Sequence, residues 1–295
     1  PASGKLLPLL PDSAAVTAAW NMNRVQTVQW LRSELDKQGT PGTLGNEVLR
    51  AALDVLQLAG DEGAFTVSGD ATNGPALALA LRIPEARKAA QGLSASLESI
   101  KAIVARGSGA VRLEDLPAVE HGGVAIRGFR LSPPDDAALG PAGRVRQPVS
   151  LQYAASDDTL FLASGTQGLA ALKHAVDTTK RPTQPADKDD AAETPELPED
   201  AVAALVVYPV RLAVLALSAM PAEAGLDAGK LSLGLPDDAA TLSLRQTENL
   251  VALRLELPAA VPQAAYTFAR RIEKANAARR AQANPEPPVP APPPP

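Results

Sequence analysis

The chain has 295 residues and a formal charge of −5 with no basic stripe, which excludes nucleic acid as its main partner. Aromatic residues make up only 3% against 45% hydrophobic overall, so Ala, Leu and Val must fill the core, and an interface anchored on Tyr and Trp is hard to build. With no cysteine there are no disulfides, thiol nucleophiles, iron–sulfur clusters or thiolate zinc sites; the same absence fits export to an oxidising compartment, or simply a cysteine-poor proteome.

Pro1-Ala2-Ser3-Gly4 is a small-residue start of the kind that signal cleavage, or removal of a Met before proline, would leave. Residues 1–7 are read as an extension. The apolar run 14–22, ending in Trp20 and Met22, predicts a buried strand. A helix with Val28, Leu31 and Leu35 on one face should follow, stopped by Gly39 and Thr40-Pro41-Gly42, then a second helix with Leu49, Leu53 and Leu56. Phe65 and Val67, and later Leu77, Leu79, Leu81 and Ile83, alternate with small or polar residues, the period of half-buried strands, with 70–75 as the turn. Pro84 should open a long helix burying Leu93, Leu97, Ile100 and Val104.

Val124, Ile126, Phe129 and Leu131 predict a strand, Leu151 and Tyr153 another, and Leu160 to Leu162 a third after the turn 155–158. A short helix over 165–178 should hold Leu169, Leu172 and Val176 inward. Residues 180–199 carry Pro, Asp, Glu, Lys and Ala but almost no large apolar side chain, so they read as a linker or surface loop. Beyond it come a strand at 201–208, a helix at 210–220, a strand on Leu231, Leu233 and Leu235, a hairpin over 241–257 turning at 246–249, and a helix burying Val261, Ala265, Phe268 and Ile272. The segment 282–295 is proline-rich; as polyproline II its last residues would extend about 34 Å.

Two of these stretches look alike. Leu10-Pro11-Asp12-Ser13-Ala14 and Leu197-Pro198-Glu199-Asp200-Ala201 each lead through an apolar run to an arginine, Arg24 and Arg211, at the same distance. Thr66 to Pro84 and Thr241 to Pro258 share strand, polar turn, alternating strand, proline and helix. The pattern predicts an α+β fold of two related units, 8–179 and 200–281, with antiparallel sheets, helices on one face and a shorter second copy.

Residues that could carry chemistry are few. His174 falls on the solvated side of its helix, and His121 sits in a predicted turn, Glu120-His121-Gly122-Gly123, with no partner visible in the sequence. No Gly-x-Ser-x-Gly, phosphate loop or histidine pair at metal spacing occurs. The doublets Asp135-Asp136, Asp157-Asp158, Asp189-Asp190 and Asp237-Asp238 are read as turn and linker residues; acid–base work or calcium binding is the sharper alternative. Arg24 and Arg211 could together hold an anion, but ion pairing at element ends accounts for them more simply. Pro285, Pro288, Pro290 and Pro293 have the spacing of a partner-docking tail; a spacer is the plainer reading.

The two Leu-Pro-acid openings, with the segment from Tyr153 through Asp157, Asp158 and Phe161 to Ser164 leading into a helix, resemble a loose group of uncharacterised exported bacterial proteins made of two similar α+β halves. The resemblance implies an extracytoplasmic place, periplasm or cell surface, and a non-catalytic role; a cytoplasmic location is the alternative. The expectation is a binding or scaffold protein of the envelope, a subunit of a larger assembly, with protein partners, no cofactor, no bound metal and no transmembrane segment. The alternatives are a carrier enclosing an apolar ligand between sheet and helices, and a carboxylate-dependent hydrolase.

Overall fold

The computed structural model describes residues 4–11, 14–21, 57–70, 74–106, 112–132, 148–180, 201–218, 228–246 and 250–283, with Val25, Val28, Gln29, Arg32, Ser33 and Leu53. The strands are β1 (Ala14–Asn21), β2 (Glu62–Asp70), β3 (Gly74–Arg82), β4 (Arg112–His121), β5 (Val124–Ser132), β6 (Val149–Ser156), β7 (Thr159–Ser164), β8 (Ala203–Val207), β9 (Ala240–Gln246) and β10 (Val251–Glu256). The helices are α1 (Ala86–Arg106), α2 (Gly168–Lys180), α3 (Pro209–Ser218), α4 (Ala228–Ser232) and α5 (Ala260–Ala283), with a 3-10 turn at Gly4–Leu9.

All ten strands join one sheet in the order β10-β9-β8-β1-β2-β3-β7-β6-β5-β4, and every neighbouring pair is antiparallel. The fold is therefore mixed α+β on a single antiparallel sheet. β8 and β1 are the third and fourth strands from the β10 edge, and they pair with Ala18 opposite Leu205 and Val16 opposite Val207. From that seam the chain runs outward both ways, through β2 and β3 on one side and β9 and β10 on the other.

Helices cover both faces, not the one face expected. Alternation sends neighbouring residues to opposite sides, and the strands here are apolar on both. On one side Leu81, Tyr153 and Leu160 pack with Leu93 and Leu97 of α1. On the other Ala78, Ala80, Phe161 and Ala163 pack with Leu172, Ala175 and Val176 of α2. Leu6 and Leu7 of the expected N-terminal extension also join this second core. Alanines at alternate positions of β3 are thus core residues, small enough to let a helix and the 3-10 turn approach closely.

Several expectations change. Leu231, Leu233 and Leu235 form no strand: Leu231 lies in the last turn of the short α4, Gly234 takes φ +71°, and the Leu235 N–H donates to Ser232 O at 3.1 Å. A left-handed glycine is a helix stop, and it leaves Leu231 9% exposed and Leu233 76% exposed. In α5, Ala264 is buried in place of Ala265. β4, not anticipated as a strand, precedes the Gly122-Gly123 turn. The side chains of Ile100 and Val104 lie outside the described residues.

Candidate functional site

The charged residues singled out in the sequence are largely paired. Arg211 near the start of α3 donates through Nε to Asp237 Oδ2 at 2.7 Å and through Nη1 to Ala14 O at 3.2 Å, and its guanidinium stacks 4.1 Å from the Tyr208 ring centroid. These contacts tie α3 to the end of β1 and to the loop before β9. Arg24, the doublets 135–136 and 189–190, and Pro285, Pro288, Pro290 and Pro293 lie outside the described residues. Asp157 and Asp158 form the exposed turn between β6 and β7; Asp158 pairs with Arg82 at 2.5 Å and Asp157 with Arg87 at 3.3 Å. Asp237 and Asp238 are exposed on a separate loop. The two doublets thus sit on two separate exposed turns. His174 is exposed, and His121 Nε2 lies 2.8 Å from Asp177 Oδ1 of α2. That partner is 56 residues away, which is why the sequence hid it. Among the described residues no group of three metal-ligating side chains gathers, and no helix is long and apolar enough to cross a membrane.

What stands out is β10. One row of directly opposed residues crosses the sheet from Leu160 through Leu81, Gly63, Trp20, Ala203 and Leu244 to Leu253. Opposed residues share a face, so the whole row belongs to the side that α1 covers. Leu81 is 3% exposed and Leu253 is 67% exposed. Val251 and Leu255 share this face with Leu253 and are exposed with it; Leu257, just past the strand, and Tyr266 on α5 are exposed as well. The opposite face of β10, with Ala252, Arg254 and Glu256, is exposed too, and Arg254 pairs with Glu256 at 2.7 Å.

β10 is also a free edge: among the described residues no strand flanks its outer side. The hydrogen-bond ladder fixes which groups face outward. Asn21 N–H donates to Val202 O at 2.7 Å and Tyr208 N–H donates to Ala15 O at 2.8 Å, so even-numbered residues of β8 bond to β1. Antiparallel ladders alternate. Odd residues of β8 therefore bond to β9, odd residues of β9 bond to even residues of β10, and the N–H and C=O groups of Val251, Leu253 and Leu255 point away from the sheet.

The other edge, β4, is guarded. It carries Glu114, Asp115 and Glu120 exposed, has Pro117 within it, and loses register between Leu116 and Val119. Charge, proline and bulge are the devices that keep an edge from pairing. β10 has no proline or register break within it, and leucine or valine at every second position. The sequence did not mark this difference, because β4 is not anticipated as a strand and β10 reads only as half of the 241–257 hairpin. No family model matches this chain, and neither the curated proteins nor the solved structures contain a match to it.

Proposed function

We propose that the protein is a non-catalytic binding and assembly subunit, working in the bacterial envelope, whose contact surface is the β10 end of its sheet. The exposed apolar row on β10 is the observation that carries this reading: large apolar surface left in water beside open backbone donors and acceptors is the signature of an interaction site. The envelope assignment draws support from the absence of cysteine and from the resemblance to exported two-half proteins.

The same proposal includes an ancestral duplication. A shift of 187 positions carries Leu10 to Leu197, Arg24 to Arg211 and Ala18 to Leu205. Ala18 and Leu205 face each other across the β1–β8 seam, and the shift maps every other pair of that ladder onto a pair of the same ladder. A local two-fold axis through Ala18 and Leu205 accounts for this. The element order supports it: β1, helical positions among Val25–Ser33 and at Leu53 and 57–58, β2, β3 and α1 run parallel to β8, α3, α4, β9, β10 and α5. The ladders correct one detail of the alignment. Thr17 faces Thr66, and Ala204, its image, faces Ser243, so Thr66 corresponds to Ser243 and not to Thr241. Both are buried polar residues.

Photo-crosslinking in the native cell tests the reading. A crosslinker at Leu253 or Tyr266 should give discrete higher-mass adducts, whereas one at Glu114 on the guarded edge should give none. Adducts absent at Leu253 and Tyr266, or equally strong at Glu114, would overturn it.

A further inference from the structure

The open edge is self-complementary, and we propose that β10 pairs antiparallel with β10 of a second copy of this chain, joining two ten-stranded sheets about a two-fold axis at Leu255. The inference rests on β10 being the contact surface and adds the identity of its partner.

Three observations point to a second copy. The first is precedent within the chain. β3, which holds in the first half the place β10 holds in the second, has its outer side filled by β7, antiparallel, Leu79 opposite Leu162 and Leu81 opposite Leu160. In the first half β7 arrives after α1, at the end of the run β4-β5-β6-β7; among the described residues no strand follows α5, the helix that holds the place of α1. An antiparallel strand bearing leucine at alternate positions is what this edge accepts, and β10 is itself such a strand.

The second is hydrogen-bond parity. Two edges pair only where outward groups meet. The odd residues of β10 carry those groups, so an axis must bring odd residues opposite odd residues. Pro258, which has no N–H, is even-numbered and falls on the inward side of the alternation, so it does not block the edge.

The third is charge. With the axis at Leu255, Leu253 faces Leu257 of the second copy, and Arg254 faces Glu256, twice over by symmetry. With the axis at residue 254 the same parity holds, but Arg254 would face Arg254, which is unfavourable. With the axis at Leu253, Arg254 would face Ala252 and gain no partner. Of these registers only the one at Leu255 sets leucine against leucine across the seam and also pairs both charges. A C2 contact of this kind is closed, so it stops at a dimer. The guarded β4 edges at the two ends of the joined sheet prevent further growth.

Sedimentation equilibrium of the full chain, with far-UV circular dichroism to show that each variant folds, tests the association. The expected result is a monomer–dimer equilibrium. Leu255→Lys should weaken it by at least about 100-fold, since two leucines leave the interface and two cations meet on the axis. Arg254→Glu and Glu256→Arg should each weaken it about tenfold, and the two together should restore it. The cysteine-free chain also permits a register test. Cα atoms of a hydrogen-bonded antiparallel pair lie about 5.5 Å apart, within disulfide reach. Leu255→Cys should therefore oxidise to a covalent dimer, while Arg254→Cys and Leu253→Cys should not. A wild-type chain that stays monomeric up to about 100 µM, or one that cross-links as readily through residue 253 or 254, overturns the proposal. Monomeric behaviour with cellular adducts still focused on Leu253 would sink self-pairing and leave the binding reading standing; adducts that ignore β10 would sink both.

Discussion

Gly63 sits directly opposite Trp20 on the neighbouring strand, and the indole lies across the space where a side chain would begin. A Cβ added there would fall 2.5 Å from Trp20 Cε2 and 2.9 Å from Nε1. Ordinary carbon contacts are about 3.5–4.0 Å, so something must move by about 1 Å. Gly63 is held in register between Trp20 and Leu81, which leaves the indole as the group that moves. It would lose its tilted contact with Phe65, whose centroid is 6.3 Å away at 52°, worth about 0.5–1.5 kcal/mol. Overpacking adds about 1–3 kcal/mol, and replacing a strand glycine returns about 0.5–1 kcal/mol. The net expectation for Gly63→Ala is a loss of about 1–3 kcal/mol in urea unfolding followed by circular dichroism. The same substitution in a Trp20→Ala background should be neutral or slightly stabilising, a coupling of at least about 1 kcal/mol. If Gly63→Ala costs the same in both backgrounds, the indole is not what excludes the side chain.

Gly165→Ala combines two faults, because φ is +93° and the new Cβ would lie 2.5 Å from Pro75 O; it should lower stability by more than about 3 kcal/mol. Gly123→Ala, with φ +69° and nothing within 4 Å, carries backbone strain alone and should cost about 1 kcal/mol, so equal losses in thermal melts would refute the distinction. Lys101 is held above its usual 10.5 by its hydrogen bond to Asp115 and then by that to Glu98. A raised pKa means tighter proton binding in the folded state, so the stability it contributes is full below 10.5 and is lost as pH rises through the folded value. Since both carboxylates are well exposed, Lys101→Met should cost under about 1 kcal/mol near neutral pH. The gap to the wild type should close above 10.5, and one that stays constant across that range would contradict the assignment.

Period-two spacing made β2, β3 and β6 readable, apolar runs marked β1 and β7, and the doublet Asp157-Asp158 read correctly as the turn between β6 and β7. Where it failed, the failures have physical causes. β4 is exposed along most of its length as an edge, so Glu114, Asp115 and Pro117 dilute the alternation on which strand recognition depends. Leu231, Leu233 and Leu235 keep a strand's spacing, yet the left-handed turn at Gly234 overrides it. Arg271 reinforces that end, with Nη1 donating to the carbonyls of Leu231 and Leu233 at 2.8 Å each; such a cap joins residues about 40 positions apart and leaves no local signal. The small residues Ala76, Ala78 and Ala80 looked like mere spacers between leucines, though all three are buried. Sequence alternation says that two faces differ; it does not say how many of them are covered.

The candidate edge shows the same limit most sharply. Leu77-Ala78-Leu79-Ala80-Leu81 and Val251-Ala252-Leu253-Arg254-Leu255 are equivalent as patterns, and both form antiparallel hairpins with the strand before them. Among the described residues, β3 is an interior strand because β7 flanks its outer side, and β10 is an edge because no strand flanks its own. The difference in burial between Leu81 and Leu253 thus originates in segments that neither leucine belongs to. Local substitution tells the two strands apart once that topology is known. On the α2-side face β10 carries Arg254 and Glu256, both exposed, where β3 carries Ala78 and Ala80, while leucines stand on the other face of each strand. Solvent alone would have favoured polar residues on both faces. Leucine at Leu253 and Leu255, with charge only at Arg254 and Glu256, is the arrangement that the proposed pairing of β10 with a second β10 calls for.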